Sequence, residues 1–131
     1  MSVEMLRYDS NTPPDVDEWL AADERERIAA VVEYHRGRKG PHPEAESPLA
    51  HGAFHAIVEN QIAGNDPPEV RAALERLVAD GCSRHEAIHA VGSVIAEETH
   101  AIMTAKRPFD RNRVARALAG LSPETWRGST P

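Results

Sequence analysis

Two pairs of histidines with the same four-residue spacing fix how this chain can fold. They are His51 and His55 in HGAFH, and His85 and His89 in HEAIH. In a helix, residues four apart stack on one face with β-carbons about 5–6 Å apart. Each segment therefore reads as a helix that can offer two imidazoles to one ion. A carboxylate accompanies each pair: Glu59 one turn beyond His55, and Glu86 between His85 and His89.

The rest of the chain agrees with a helical reading. Ala, Glu, Arg, Leu and Val dominate its middle, and no stretch alternates with the period of two expected of half-buried strands. A length of 131 residues suits one domain with one modest core. Fifteen basic against 21 acidic residues leave a net charge of −6, with no basic cluster to hold phosphates, so nucleic acid is excluded as a default partner. The single cysteine, Cys82, rules out an internal disulfide and reads as an ordinary thiol at a helix entry. The start lacks a basic-then-apolar leader pattern, and no apolar run is long enough to span a bilayer. A cytoplasmic protein with no membrane association is expected.

Capping residues mark the elements. Residues 1–14 are polar, end in Pro13-Pro14 and read as an extended N-terminal arm. Asp15 with Glu18 opens a helix expected to run unbroken to about His35, with Leu20, Ile28, Val31, Val32 and His35 on one stripe and Glu24 beside them. The stretch from Gly37 to Pro48, which carries His42, is a connection. Ser47-Pro48 then starts a helix that continues to about Ala63. Asp66 with Glu69 reads as a further capping box, over a buried stripe of Val70, Leu74, Leu77 and Val78. Gly81 is placed to end that helix. Ser83 with Glu86 opens a long helix to about Ala105, and a shorter one follows from about Asn112 to Leu121. Ser122-Pro123-Glu124 can start one last turn in a tail, 122–131, that carries Trp126. The expected fold is all-α, a four- to five-helix up-down bundle over residues 15–121.

In such a bundle the two histidine pairs occupy the first two turns of parallel helices and lie at one level. His35 and His42 arrive at the same end. Each of these two, like Glu24, reads as an ordinary hydrogen-bonded residue. His100 lies eleven residues beyond His89, about 16 Å along the axis, out of reach of the same ion. Gly92, Ser93 and Ala96 among the histidines of the long helix leave room for an ion and a small ligand.

The expected metal ligands are His51, His55, Glu59, His85 and His89. For Glu59 the alternative is a hydrogen bond to the ring N–H of His55. An imidazole-rich set with a carboxylate suits a transition metal, iron first, with zinc or manganese as alternatives. Iron points to a non-haem centre, mononuclear or di-iron, acting on a small molecule with oxygen. Zinc points to a hydrolase in which Glu86 or Glu59 takes the catalytic proton. The third reading is a non-catalytic, metal-stabilised interaction module. His85-Glu86-x-x-His89 matches the zinc-protease pattern, but it begins a helix where Glu86 serves as the cap partner of Ser83, and no strand precedes it. A bundle of this size also allows a homodimer.

The segment HPEAESPLAHGAFHAIVENQIAGNDPPEVRAALERL, followed by RHEAIHAV and preceded by DEWLAADERERIAAVVEYH, resembles a family of small bacterial helical proteins of unknown function. Its pattern is HP, then HxxxHxxVExQ, then a Pro-started helix, then HxxxH, and the likeness covers roughly residues 15–105. It implies a helical fold with a histidine-rich site and carries no activity. One departure is visible: a histidine of that pattern is expected near Leu49 or Ala50, and none is present.

Overall fold

The computed structural model describes residues 6–36 and 48–129. His42, Ser47 and most of the connection between them and His35 lie outside the described residues. Seven helices, and no strand, occur among those described: α1 (Val16–Ala21), α2 (Glu24–His35), α3 (Pro48–Gly64), α4 (Pro68–Ala79), α5 (Arg84–Ala105), α6 (Arg111–Ala119) and α7 (Pro123–Ser129). The all-helical expectation stands; the number of helices exceeds the expected four to five.

The extra helix at the start has a local cause. The first helix breaks at Ala22, and Asp23 recaps the chain, its Oδ1 accepting from Glu26 N at 2.8 Å. A second acidic cap eight residues after Asp15 thus outweighs helical continuity. Arg27 seals the break. Its Nε donates to the carbonyls of Trp19 and Ala22 at 2.9 and 3.0 Å, and Nη2 donates to Leu20 at 2.9 Å. These are the carbonyls that a terminated helix leaves unsatisfied. Leu20, expected on the buried stripe, is exposed, and Trp19 is fully buried instead.

Other boundaries follow their signals more closely. Ser83 Oγ accepts from Glu86 N at 3.0 Å. Gly81 adopts φ of +110°, and the amides of Gly81 and Cys82 return to the carbonyls of Val78 and Leu77. That is the left-handed glycine closure of a helix C-terminus. The capping box expected at Asp66 does not form: α4 starts after Pro67, without a side-chain cap. On α4, Ala73 is buried and Val78 is largely exposed, which shifts the buried stripe by part of a turn.

The interior has two parts. The larger unites Val58 of α3, Leu74 and Leu77 of α4, Ile88 and Val91 of α5, and Val114 and Leu118 of α6. The smaller gathers Trp19, Val31 and Ala56, with Leu6 and Tyr8 of the N-terminal arm packed against it. The expected loose arm is therefore docked from Leu6 to Ser10, and Ser10 is fully buried. Helix α3 belongs to both parts, and its neighbours are α1, α2, α4 and α5. Helix α6 is tied to α5 through Arg113, which grips Glu98, and to α4 through Arg76, whose guanidinium caps the Leu118 carbonyl at 2.7 Å. Trp126 of α7 lies against the larger part.

Two glycines let α3 approach its neighbours closely. A β-carbon at Gly52 would lie 2.5 Å from Val32 Cγ2 and 3.2 Å from the Ile28 carbonyl oxygen of α2. At Gly92 of α5 the space is filled by the Phe54 ring. The room expected beside the histidines thus serves helix packing, and Ala96 faces outward.

Gly52→Ala is expected to lower the thermal midpoint. Overpacking of this kind costs about 1–3 kcal/mol. The helical preference for Ala over Gly returns about 1 kcal/mol. The clash prevails because the stiff Val32 side chain and a backbone carbonyl have little freedom to give way. A thermal melt of the variant against wild type reads the sign directly.

Candidate metal centre

Three helices deliver histidines to one point. His35 ends α2, His55 lies in the second turn of α3, and His85 and His89 lie in the first two turns of α5. One ring nitrogen from each of the four falls within 4.8 Å of all the others. His55 Nε2 and His89 Nε2 are 2.7 Å apart, and His35 Nε2 and His85 Nε2 are 3.2 Å apart. His55 is fully buried and His85 nearly so.

The orientation of His35 is fixed from behind. Its Nδ1 lies 2.9 Å from the Val31 carbonyl oxygen. A carbonyl only accepts, so Nδ1 carries the hydrogen and Nε2 turns its lone pair toward the cluster. This is how metal-bound histidines are commonly held. The backbone N–H of His85 donates to Asn11 Oδ1 at 3.1 Å, so the N-terminal arm anchors the start of α5.

The distances suit one ion. Metal–nitrogen bonds of about 2.0–2.1 Å give a tetrahedron with edges of roughly 3.3 Å. The His35–His85 pair already stands near that edge, and the His55–His89 pair has to open by roughly 0.6 Å to match it. When no ion is bound, each close pair can share one hydrogen, an N–H of one ring donating to the lone pair of the other. A proton and a metal ion are therefore alternatives between the same nitrogens.

Electrostatics keep His55 neutral. Burial first, and then the neighbouring rings of His89, His35, His51 and His85, push the His55 pKa far below the ordinary imidazole range. An imidazolium here would lose its hydration and face the other four rings. Neutral imidazole is the form that ligates metals.

A second layer of polar groups lies beside the histidines, built on a buried ion pair. Arg84 donates to Glu59 through Nη1 at 2.8 Å and Nη2 at 2.7 Å, and Nη1 also reaches the Ser10 carbonyl at 3.1 Å. Both side chains are almost inaccessible, at 8 % for Arg84 and 1 % for Glu59, so solvent screens this ion pair very little. Burial works against the guanidinium charge. The hydrogen bonds and charge of Glu59 outweigh it and leave Arg84 above its ordinary value. Tyr8 donates its hydroxyl to Glu59 Oε2 at 2.5 Å and accepts from Ser10 Oγ at 3.1 Å. Burial, followed by the Glu59 charge, pushes the Tyr8 phenol far above its ordinary range. The Tyr8 ring stands edge-on to His55, with centroids 6.4 Å apart.

The five expected ligands are distributed as follows. His55, His85 and His89 belong to the converging set. His51 packs against it, with ring centroids 4.7, 4.8 and 5.1 Å from those of His35, His55 and His89, but is not one of the four mutually close donors. Glu59 turns to Arg84 and Tyr8, outside that set. The fourth member of the converging set is His35, which reads as an ordinary residue in the sequence although topology places it at this end. Glu86, the expected catalytic base of the hydrolase reading, is half-buried at the start of α5, and its amide receives the Ser83 cap. His100 is exposed, away from the cluster. A cavity of about 340 Å³, lined by Pro13, Pro14, Ile62, Leu74, Glu59 and Arg84 among others, reaches the charged layer and none of the histidines.

A family model described as a domain of unknown function (DUF1841) matches residues 15–119. No curated protein and no solved structure matches.

The refusal of a proton by His55 has a measurable consequence in the metal-free protein. Above its ordinary pKa, near 6.5, the ring is neutral in folded and unfolded chains alike, and stability does not depend on it. Below that value the unfolded chain takes up a proton that the folded chain excludes. Stability is then expected to fall with pH by about 1.4 kcal/mol per pH unit for each such proton. Denaturant melts from pH 7 down to about pH 5, before carboxylates titrate, check this. A flat profile across that window would show His55 to be protonated in the fold.

Proposed function

The chain belongs to the DUF1841 family, whose description assigns no activity, and from the geometry of its site we propose that it holds one transition-metal ion through His35, His55, His85 and His89. The observation that carries this reading is the convergence of four imidazole nitrogens, from three helices, within 4.8 Å of one another. Gathering imidazoles from three helices at one point is the arrangement in which neutral rings bind an ion.

The ion we assign is iron, in a non-haem centre that acts on a small molecule. Imidazole donors suit iron, zinc, copper and nickel, whereas manganese favours oxygen donors. Oxidisable rings favour a redox ion over zinc: Tyr34 lies edge-on to His35 and His85 at 5.0 and 5.7 Å, and Tyr8 to His55. A two-iron centre calls for carboxylates at the metals. Glu59 is committed to Arg84, so the reading is a single ion. Four imidazoles do not exhaust the coordination that iron can take, so an ion held here would have room for water, oxygen or a small molecule, and His51 packs beside the set.

A cavity at the lower end of the volumes that hold small ligands lies against Glu59 and Arg84, one layer away from the histidines. No helix among the described residues is long and apolar enough to cross a membrane. We place the protein in the cytoplasm, where a lone buried thiol at Cys82 stays reduced.

Metal analysis of protein purified without chelator tests the reading. Close to one iron per chain is expected in wild type and in His100→Ala, with loss in His35→Ala and His55→Ala at unchanged helicity. Loss in His35→Ala separates this site from one built on the two HxxxH pairs alone. Bound zinc in place of iron would keep the site and replace oxygen chemistry with hydrolysis. Wild type that folds and takes up neither metal on reconstitution would contradict the proposal.

A further inference from the structure

The metal reading makes no use of the hydroxyl of Tyr8, yet the fold invests heavily in it. A phenol from the N-terminal arm is carried inward until its oxygen lies 2.5 Å from Glu59 Oε2. This is the length of a charge-assisted O–H···O⁻ bond, among the strongest that side chains make. Glu59 itself is held by two hydrogen bonds from Arg84, and Ser10 donates to the phenol oxygen from the other side. The proton is thus shared with a fixed acceptor at the distance that proton transfer requires.

We propose that Tyr8 is a redox-active tyrosine whose proton passes to Glu59 as its electron leaves for the histidine centre. The step is balanced as follows. Tyr8 gives one electron to an oxidised transition-metal ion held by the four histidines, and that ion is reduced by one electron. The phenolic O–H bond breaks and an O–H bond forms at Glu59 Oε2. Tyr8 becomes a neutral tyrosyl radical and Glu59 a carboxylic acid. The proposal rests on the metal reading only for the source of the oxidant.

Three features favour this step over simple ionisation or a purely structural role. Loss of the proton alone would set a phenolate directly against the Glu59 carboxylate that accepts its hydrogen bond. Loss of the electron alone would leave a cationic ring in a buried place. Moving both together creates no net charge on the ring; protonated Glu59 keeps the Arg84 Nη2 hydrogen bond at Oε1, and the weakened ion pair drives the proton back to Tyr8 when its electron returns. The path is also short. The Tyr8 ring lies 6.4 Å from His55, 5.5 Å from Tyr34 and 5.8 Å from the buried Trp19, centroid to centroid. Tyr8 therefore joins the histidine centre to a second oxidisable ring deeper in the smaller core.

The test supplies the oxidant from outside, so that it does not depend on the native metal. The full chain, with no added metal and again with added redox-inert zinc, is flash-photolysed with a soluble ruthenium photo-oxidant. The radical is followed by electron paramagnetic resonance and optical absorption. A long-lived tyrosyl signal is expected in wild type and in Tyr34→Phe, lost in Tyr8→Phe and in Glu59→Gln, with slower formation in deuterated water. Glu59→Gln leaves Arg84 short of a partner, so its fold is checked by circular dichroism. If it unfolds, the solvent isotope effect in wild type decides alone. A tyrosyl signal that survives Tyr8→Phe, or a wild-type rate indifferent to deuterium, overturns the proposal. Failure to bind metal shows separately, in the metal analysis, and leaves the photolysis result readable.

Discussion

The paired hydrogen bonds between Arg84 and Glu59 join the parts that have to meet for a centre to exist. Arg84 opens α5 beside His85, Glu59 sits one turn beyond His55 on α3, and the same guanidinium holds the Ser10 carbonyl of the N-terminal arm. Removing one member of such a buried pair costs about 3–5 kcal/mol, because the other charge is left without compensation. The pair therefore acts less as a source of net stability than as a register mark. Any slide of α3 along α5 separates two charges whose side chains are almost inaccessible to solvent. With that slide prevented, His55 and His89 have little choice but to face each other.

Around this mark the fold separates charge from the histidine cluster. The innermost ring, His55, is held neutral by burial and by its neighbours. The charges are paired one layer further out, in Glu59 and Arg84, with Tyr8 hydrogen-bonded to the carboxylate. A carboxylate among the histidines would have strengthened binding of hard ions and offered a bridge for a second one. Its removal to the outer layer leaves an all-imidazole set at the cluster itself. Close helix contacts at Gly52 and Gly92 complete the arrangement by bringing α2 and α5 against opposite sides of α3.

Much of this was legible in the sequence because helix geometry is local. Asp15, Ser83 and Gly81 announce their boundaries through hydrogen bonds that form within a few residues. The two HxxxH pairs place His51, His55, His85 and His89 on faces that do come together. The division of the first helix was missed because a strong cap at Asp23 competes with an otherwise continuous helical pattern. The parts of the site that escaped depend on tertiary neighbours. His35 is alone in its segment, and nothing local distinguishes a ligand from a core histidine. Glu59 was read by its distance from His55, whereas its partner is 25 residues away. One signal was available. Arg84 shares a helical stripe with Ile88 and Val91, and Glu59 lies among the apolar positions of α3. Two opposite charges on two buried stripes call for each other. Tyr8 gave no such sign, since a short polar arm carries no periodicity to reveal which side chains dock.

The central claim is that four imidazoles, including that of His35, surround one ion while Glu59 remains outside. X-ray absorption spectroscopy of the metal-loaded protein addresses it most directly, since imidazole rings scatter in a pattern that carboxylates do not reproduce. The account predicts a fit with four imidazoles per ion in wild type, falling to three in His35→Ala that is loaded at excess metal, and unchanged in Glu59→Gln. A carboxylate oxygen in the first shell that disappears in Glu59→Gln, with His35→Ala spectrally identical to wild type, would contradict it.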